Sequence, residues 1–339
     1  MKRFISLLTV LCALLCGCAS VKQQEQKQYT ATFLTLFDTV TTVVGYAESE
    51  ESFKETTQKI HDDLQVYHQL FDIYNDYEGV NNLKTVNDRA GIAPVQVDRA
   101  IIDLLLDCRE YYELTGGRVN VAMGSVLELW HKARELGISD PANAALPDGQ
   151  SLEQAAEHIR LEEIIIDEEA STVYIPDAQM SLDVGAIAKG WATQRAAENA
   201  PAGMLISVGG NVCATGPKQG EHPWVIGIQD PDGGDYLHTI YVTDKCVVTS
   251  GDYQRTYTVD GQKYHHIIDP DTRMPATYWR SVSVVCADSA LADALSTALF
   301  LLSQKEGAEL AAKCGAEVLW IDKEGNEFMT SGFESIMRT

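Results

Sequence analysis

The sequence predicts an α+β fold, a two-lobed single domain with mixed, largely antiparallel sheets and packed helices. Three observations carry this. Helical and strand-like segments are mixed without the strict alternation that builds a doubly wound parallel sheet. Several short strand runs come as neighbours separated by turns, as antiparallel pairs do. One helix is apolar almost all round and must therefore be buried.

In chain order, Ala31 to Tyr46 is rich in Thr, Val and Phe and reads as a strand pair. Glu51 to Tyr74 places Ile60, Leu64, Tyr67, His68 and Phe71 at helical spacing. Arg99 to Leu114 is a second helix, stopped by Gly116-Gly117, and Gly124 to Leu136 a third. Ile164–Ile166 and Val173–Ile175 are short strands around a turn. A helix follows Gly185 and runs to about Asn199. Strand-like runs come next at Met204–Val208, Val225–Gln229, His238–Val242, Val247–Ser250, Tyr264–Ile268 and Ser281–Cys286. The apolar helix Ala290 to Leu302, a polar helix, and the strands Val318–Ile321 and Glu327–Thr330 close the chain.

The first residues set the address. Lys2 and Arg3 precede an apolar run from Phe4 to Leu15, too short to span a bilayer and sized for a signal-peptide core. The run ends in Leu15-Cys16-Gly17-Cys18, which resembles a bacterial lipobox with Cys18 as the lipidated residue. The expected organisation is a lipoprotein signal peptide over 1–17, a flexible polar tether over 18–28, and the folded domain over 29–339. The expected location is the extracytoplasmic face of the cell membrane, reached through the lipid anchor.

The formal net charge is -23, from 49 acidic and 26 basic residues. That balance argues against nucleic acid as a partner, since nucleic-acid binding needs clustered Lys and Arg. It also argues against charge-driven adhesion to anionic lipid. A phosphorylated ligand would need a cation, a helix N-terminus or backbone amides to offset repulsion. Beyond the leader, Cys108, Cys213, Cys246, Cys286 and Cys314 are far apart and odd in number, and read as small buried hydrophobes rather than disulfide or zinc partners.

Four segments can hold chemistry. In Ser181 to Trp191, Asp183 precedes a glycine turn and a helix start, a place for a phosphate with Lys189 one turn in. The bland alternative is an Asp cap on an ordinary amphipathic helix. In the apolar helix, Asp293 and Thr297 are four apart and share one face. A buried carboxylate there is costly unless compensated, and an oxygen-ligated Mg²⁺ would compensate it; a cationic side chain or backbone amides would serve as well. In Tyr264 to Pro270, adjacent histidines point to opposite faces of a strand, so His266 and not His265 is the candidate for the site. Gly209-Gly210-Asn211 permits close backbone approach.

These segments, in this order, resemble the ApbE family, the FAD:protein FMN transferases. Phe37-Asp38-Thr39, Tyr74, Thr115 to Gly124, Ser181 to Trp191, Ser207 to Asn211, Thr249-Ser250-Gly251, His266 to Pro270 and Ala292 to Ala298 carry the likeness, over about Phe37 to Ala298. The resemblance implies that Asp183, Lys189, Phe37, Tyr74, Ile267 and the main chain of Arg118, Val119 and Asn120 contact FAD. It also implies that Asp293, Thr297 and the Ala186 carbonyl hold Mg²⁺. Asn120 stands where many members have Asp, Arg273 replaces the glycine usual before Met274-Pro275, and Phe37 replaces a methionine.

The implied reaction is phosphoryl transfer from FAD to a threonine hydroxyl of an exported or membrane flavoprotein, with AMP leaving. His266, ahead of Asp269, is the candidate base. Two other readings share the same residues. One is hydrolysis of FAD to FMN and AMP; the other is a flavin-binding lipoprotein without catalysis.

Overall fold

The computed structural model describes residues 26–338, so the leader and the lipobox cysteine, Cys18, lie outside the described residues. Folded structure begins earlier than the expected tether allowed: strand Lys27–Leu36 takes in the last two tether residues, Lys27 and Gln28.

An eight-stranded sheet organises the molecule. Its spatial order is Lys27–Leu36, Thr39–Ala47, Leu205–Val208, Asn211–Ala214, Cys246–Gly251, Trp279–Cys286, Glu317–Asp322 and Glu327–Met329. Every neighbouring pair is antiparallel. Small antiparallel sheets join it: Trp224–Gln229 with Tyr236–Val242, Tyr257–Val259 with Gln262–Tyr264, and a three-stranded sheet of Val95–Gln96, Thr172–Tyr174 and Ile165–Asp167. The α+β class and its antiparallel bias therefore hold.

The helices divide the core. Helix Ser289–Phe300 lies between two packed clusters. Ala290, Ala294 and Ala298 face a helical core built from Leu104, Leu105 and Trp191 among others. Ala292, Leu295 and Leu299 face the sheet residues Val282, Val284 and Trp320. Small residues four apart on the first face let helix Ala188–Asn199 approach closely. A separate small cluster around Met123, Trp130, Tyr257 and Ile268 forms the second lobe.

Two local expectations need correction. Tyr264–Ile268 is not one strand: pairing ends at Tyr264, and the following residues form a loop closed by Ala276 N–H donating to the Ile267 carbonyl. Cys213 and Cys246 are not isolated hydrophobes. They are register partners on adjacent strands, with Cα atoms 4.2 Å apart, and form a disulfide. A pairing across 33 residues is created by sheet register, and spacing along the chain does not reveal it. Cys108 and Cys286 are buried free thiols, as expected.

Candidate active site

The two main motifs are brought together by backbone contacts. Gly124 N–H donates to the Ser181 carbonyl at 3.0 Å, and Asp183 N–H to the Val121 carbonyl at 2.8 Å. Asn87 locks the same segment from below: its Oδ1 accepts from Leu182 N–H and its Nδ2 donates to the Leu182 carbonyl. A side chain at Gly124 would collide with the Ser181 backbone, so glycine is required at this crossing.

The crossing opens a cleft of about 620 Å³ between the helix pair and the second lobe, within the range of small-ligand sites. Phe37, Tyr74, Arg118, Val119, Asn120, Asp183, Ala186, Lys189, His266, Ile267, Asp293 and Thr297 all line it. Asp269 does not. Its carboxylate accepts from the N–H groups of Asp271 and Thr272 and pairs with Arg118 at 3.4 Å, so it shapes the turn behind the cleft wall. Asn120 is likewise committed, accepting from Ala122 N–H and donating to the Ile159 carbonyl, which leaves its main chain for any ligand.

Lys189 and Asp293 meet across the helix pair. Asp293 is 4% exposed, and its Oδ2 accepts from Gly190 N–H at 2.8 Å and lies 3.7 Å from Lys189 Nζ. The carboxylate thus caps a helix whose own N-cap residue, Ile187, supplies no side-chain cap. Burial raises the Asp293 pKa, and the Lys189 charge opposes that. Gly190 is required here, because a Cβ would overlap Asp293 and the Ser289 carbonyl.

This cap has a second effect. In a helix continued one turn earlier, Gly190 N–H would bond to the Ala186 carbonyl. It donates to Asp293 instead, and the Ala186 carbonyl accepts no backbone bond among the described residues. Thr297 would normally bond back to the Asp293 carbonyl, but Ser296 Oγ takes that acceptor at 2.9 Å. Three oxygens are thereby left without a protein partner among the described residues: Ala186 O, Asp293 Oδ1 and Thr297 Oγ1. No group of three or more His, Cys, Asp or Glu side chains suited to a metal occurs among the described residues. The donor set that could hold one is a carbonyl, a carboxylate and a hydroxyl.

The free N–H groups expected at the helix start are reduced to those of Ala186 and Lys189, which have no hydrogen-bond partner among the described residues. Gly185 N–H donates to Asp183 Oδ1, Ile187 and Ala188 N–H to the Val184 carbonyl, and Gly190 N–H to Asp293. Asp183 closes the turn rather than capping the helix, which begins at Ala188, and burial raises its pKa.

The histidine pair does not separate by strand alternation, since both residues lie beyond the strand end at Tyr264 and both line the cleft. His265 is buried and bonds the Ala276 carbonyl at 3.0 Å through Nε2. His266 faces the cleft, and its Nδ1 lies 3.3 Å from the Gln254 carbonyl. A carbonyl only accepts, so Nδ1 carries the proton and Nε2 keeps its lone pair. Desolvation, then the Arg255 charge, lower the His266 pKa to about 3. The turn after it keeps a glycine-like conformation with Arg273 at φ 60°, and Trp130 Nε1–H donates to the Arg273 carbonyl at 2.9 Å.

Sequence reasoning missed Arg134, Arg255 and His131, which also line the cleft. Tyr74 Oη lies 3.3 Å from His131 Nδ1, and His131 Nε2 lies 2.9 Å from Glu135. One signal was available: basic residues are scarce in this chain, and Arg255 follows the Thr249-Ser250-Gly251 motif by only four residues.

A model of the ApbE family matches residues 37–320. The FAD:protein FMN transferase of Treponema pallidum is 36% identical over 260 residues, 70% of this chain and 70% of that protein. One from Klebsiella pneumoniae is 29% identical over 275 residues, 78% of this chain and 83% of its own length. Among solved structures, the ApbE protein of Thermotoga maritima superposes with a TM-score of 0.81 at 30% identity, over 92% of this chain and 100% of that one. The flavin transferase ApbE of Vibrio cholerae gives 0.76 at 22% identity, over 92% of this chain and 100% of that one, a likeness of fold.

Proposed function

The chain belongs to the ApbE family, and from that premise we propose that it transfers FMN from FAD to a threonine hydroxyl of an exported or membrane flavoprotein, releasing AMP. The observation that carries this reading is the set of three unpartnered oxygens on Ala186, Asp293 and Thr297 beside Lys189. Hard oxygen donors, few enough to leave room for water and phosphate oxygens, suit Mg²⁺. Bound there, the ion would offset charge on the phosphoryl oxygens.

The protein's own groups do the rest. Lys189 places a cation beside the same carboxylate and draws the diphosphate toward it. His266 presents a neutral imidazole with Nε2 unprotonated, able to take the proton of the threonine hydroxyl. The threonine oxygen forms a bond to the FMN-side phosphorus. The bond from that phosphorus to the bridging oxygen breaks, and AMP leaves with that oxygen. Asp269 is held by Arg118 and its own turn, which favours His266 for the proton. The lipid on Cys18 would hold the enzyme at the outer membrane face, where such acceptors reside.

The test combines full-length protein, FAD, Mg²⁺ and an acceptor carrying a candidate threonine. Fluorescent flavin should stay on the acceptor through a denaturing gel, with AMP released in equal amount. Free FMN with an unlabelled acceptor would overturn transfer in favour of hydrolysis. Asp293→Asn should lower the rate at least about 100-fold, as expected when a metal ligand is lost; an unchanged rate removes the metal assignment.

A further inference from the structure

We infer that Arg134 and Arg255 form a clamp for the diphosphate of FAD, adding charge beside a helix N-terminus whose Gly185, Ile187, Ala188 and Gly190 N–H groups are already bonded within the protein. The identity of the anion rests on the FMN-transfer reading; the existence of an anion site does not.

Both arginines line the cleft, on different elements. Arg134 belongs to helix Gly124–Ser139, and Arg255 to the loop after strand Cys246–Gly251. Neither makes an ion pair among the described residues. Arg118, in the same wall, pairs with Asp269 and Asp271. Unpaired cations are unexpected in a chain with 49 acidic and 26 basic residues. Arg134 is half-buried, and the His131 ring is its guanidinium's only hydrogen-bond partner among the described residues. Burial, then the charge of Arg255, lower its pKa, while Glu135 and the cleft carboxylate Asp183 oppose the shift. Two like charges gathered in one cleft are stabilised when an anion bridges them.

Backbone strain points the same way. Arg255 sits at φ 46°, in the left-handed region that a non-glycine residue seldom adopts. Such strain persists where the surroundings over-determine it. Here the loop is tied down at the neighbouring residue, whose carbonyl, that of Gln254, accepts from His266 Nδ1–H. The guanidinium is therefore presented from the second lobe. Lys189 and Asp293 come from the helix pair, so an anion in the cleft would be met by cations from both lobes.

The test measures calorimetric binding of FAD and of riboflavin, which carries the ring system without phosphate. Full-length protein and the variants Arg255→Ala, Arg255→Lys and Arg134→Gln are compared. Each loss of a guanidinium should weaken FAD binding roughly 10-fold, the scale of one charge-assisted hydrogen bond, and leave riboflavin affinity unchanged. Arg255→Lys should recover only part of the loss, because it keeps the charge without the fork. Equal loss for FAD and riboflavin would show a merely structural role and overturn the clamp, as would unchanged FAD affinity. FMN transfer by the unaltered protein is followed in parallel. If transfer fails while the FAD-specific loss appears, the transfer reading falls and the clamp stands.

Discussion

At pH 7 the His266 imidazole is neutral in the folded and the unfolded chain alike, and acidification separates the two states. Its folded pKa is lowered from 6.5 to about 3 by desolvation and the Arg255 charge. Below about 6.5 the unfolded chain gains a proton there that the folded chain refuses. Stability should therefore fall as pH drops from about 6.5 toward 3. Thermal melts of the intact protein and His266→Gln at pH 7 and pH 5 measure this. The intact protein should lose more melting temperature on acidification, by a few degrees, and equal losses would show that the imidazole titrates normally. Rate follows the same logic: transfer should show no inflection near pH 6.5 from this group, and a weakly basic imidazole takes the proton only as the phosphorus–oxygen bond forms.

Between elements, the decisive contact is the crossing of helices Ala188–Asn199 and Ser289–Phe300 at Gly190. Alanine there would gain about 1 kcal/mol of helix propensity. Its Cβ would also meet the Asp293 Cβ and the Ser289 carbonyl, part of which is backbone and cannot rotate away. Overpacking of this kind costs roughly 1–3 kcal/mol, so the net change should be destabilising. The displaced Asp293 should also cost most of the transfer rate. A melt and a transfer assay on Gly190→Ala check both, and unchanged values would show that the helices need not approach so closely. The sequence had already shown that Asp293 and Thr297 share a face, since period 3.6 fixes that. It could not show that Gly190 N–H is the carboxylate's partner, because that contact spans 103 residues and depends on how two helices cross. The Cys213–Cys246 disulfide and the meeting of Arg134 and Arg255 in one cleft were hidden for the same reason. Asp183, Lys189 and His266 were legible because each sits in a motif whose local chemistry is unusual, and Phe37 only through the family resemblance. Asp269, the second candidate base, lies outside the cleft lining because its carboxylate serves the turn and Arg118.

For the whole molecule, charge and reach act together. A formal net charge of -23 over the full chain disfavours charge-driven adhesion to anionic headgroups, so membrane residence would fall to the lipid expected on Cys18. No helix among the described residues is long and apolar enough to cross a membrane. Strand structure begins at Lys27, nine residues beyond Cys18. At full extension those residues span about 30 Å, so the lipid would keep the start of the folded domain within that distance of the bilayer. Membrane-embedded acceptors would then meet the enzyme at a raised effective concentration, while a soluble acceptor would not. Cys18→Ser, expressed with its leader, should move the protein from the membrane to the soluble fraction. Transfer to a soluble acceptor should be unchanged, since the folded domain is untouched, while transfer to the same acceptor anchored in vesicles carrying the enzyme should fall at least about 10-fold, the low side of tethering effects. If the variant stays with the membrane and labels anchored acceptors at the original rate, the domain binds the surface by another route and Cys18 is not its anchor.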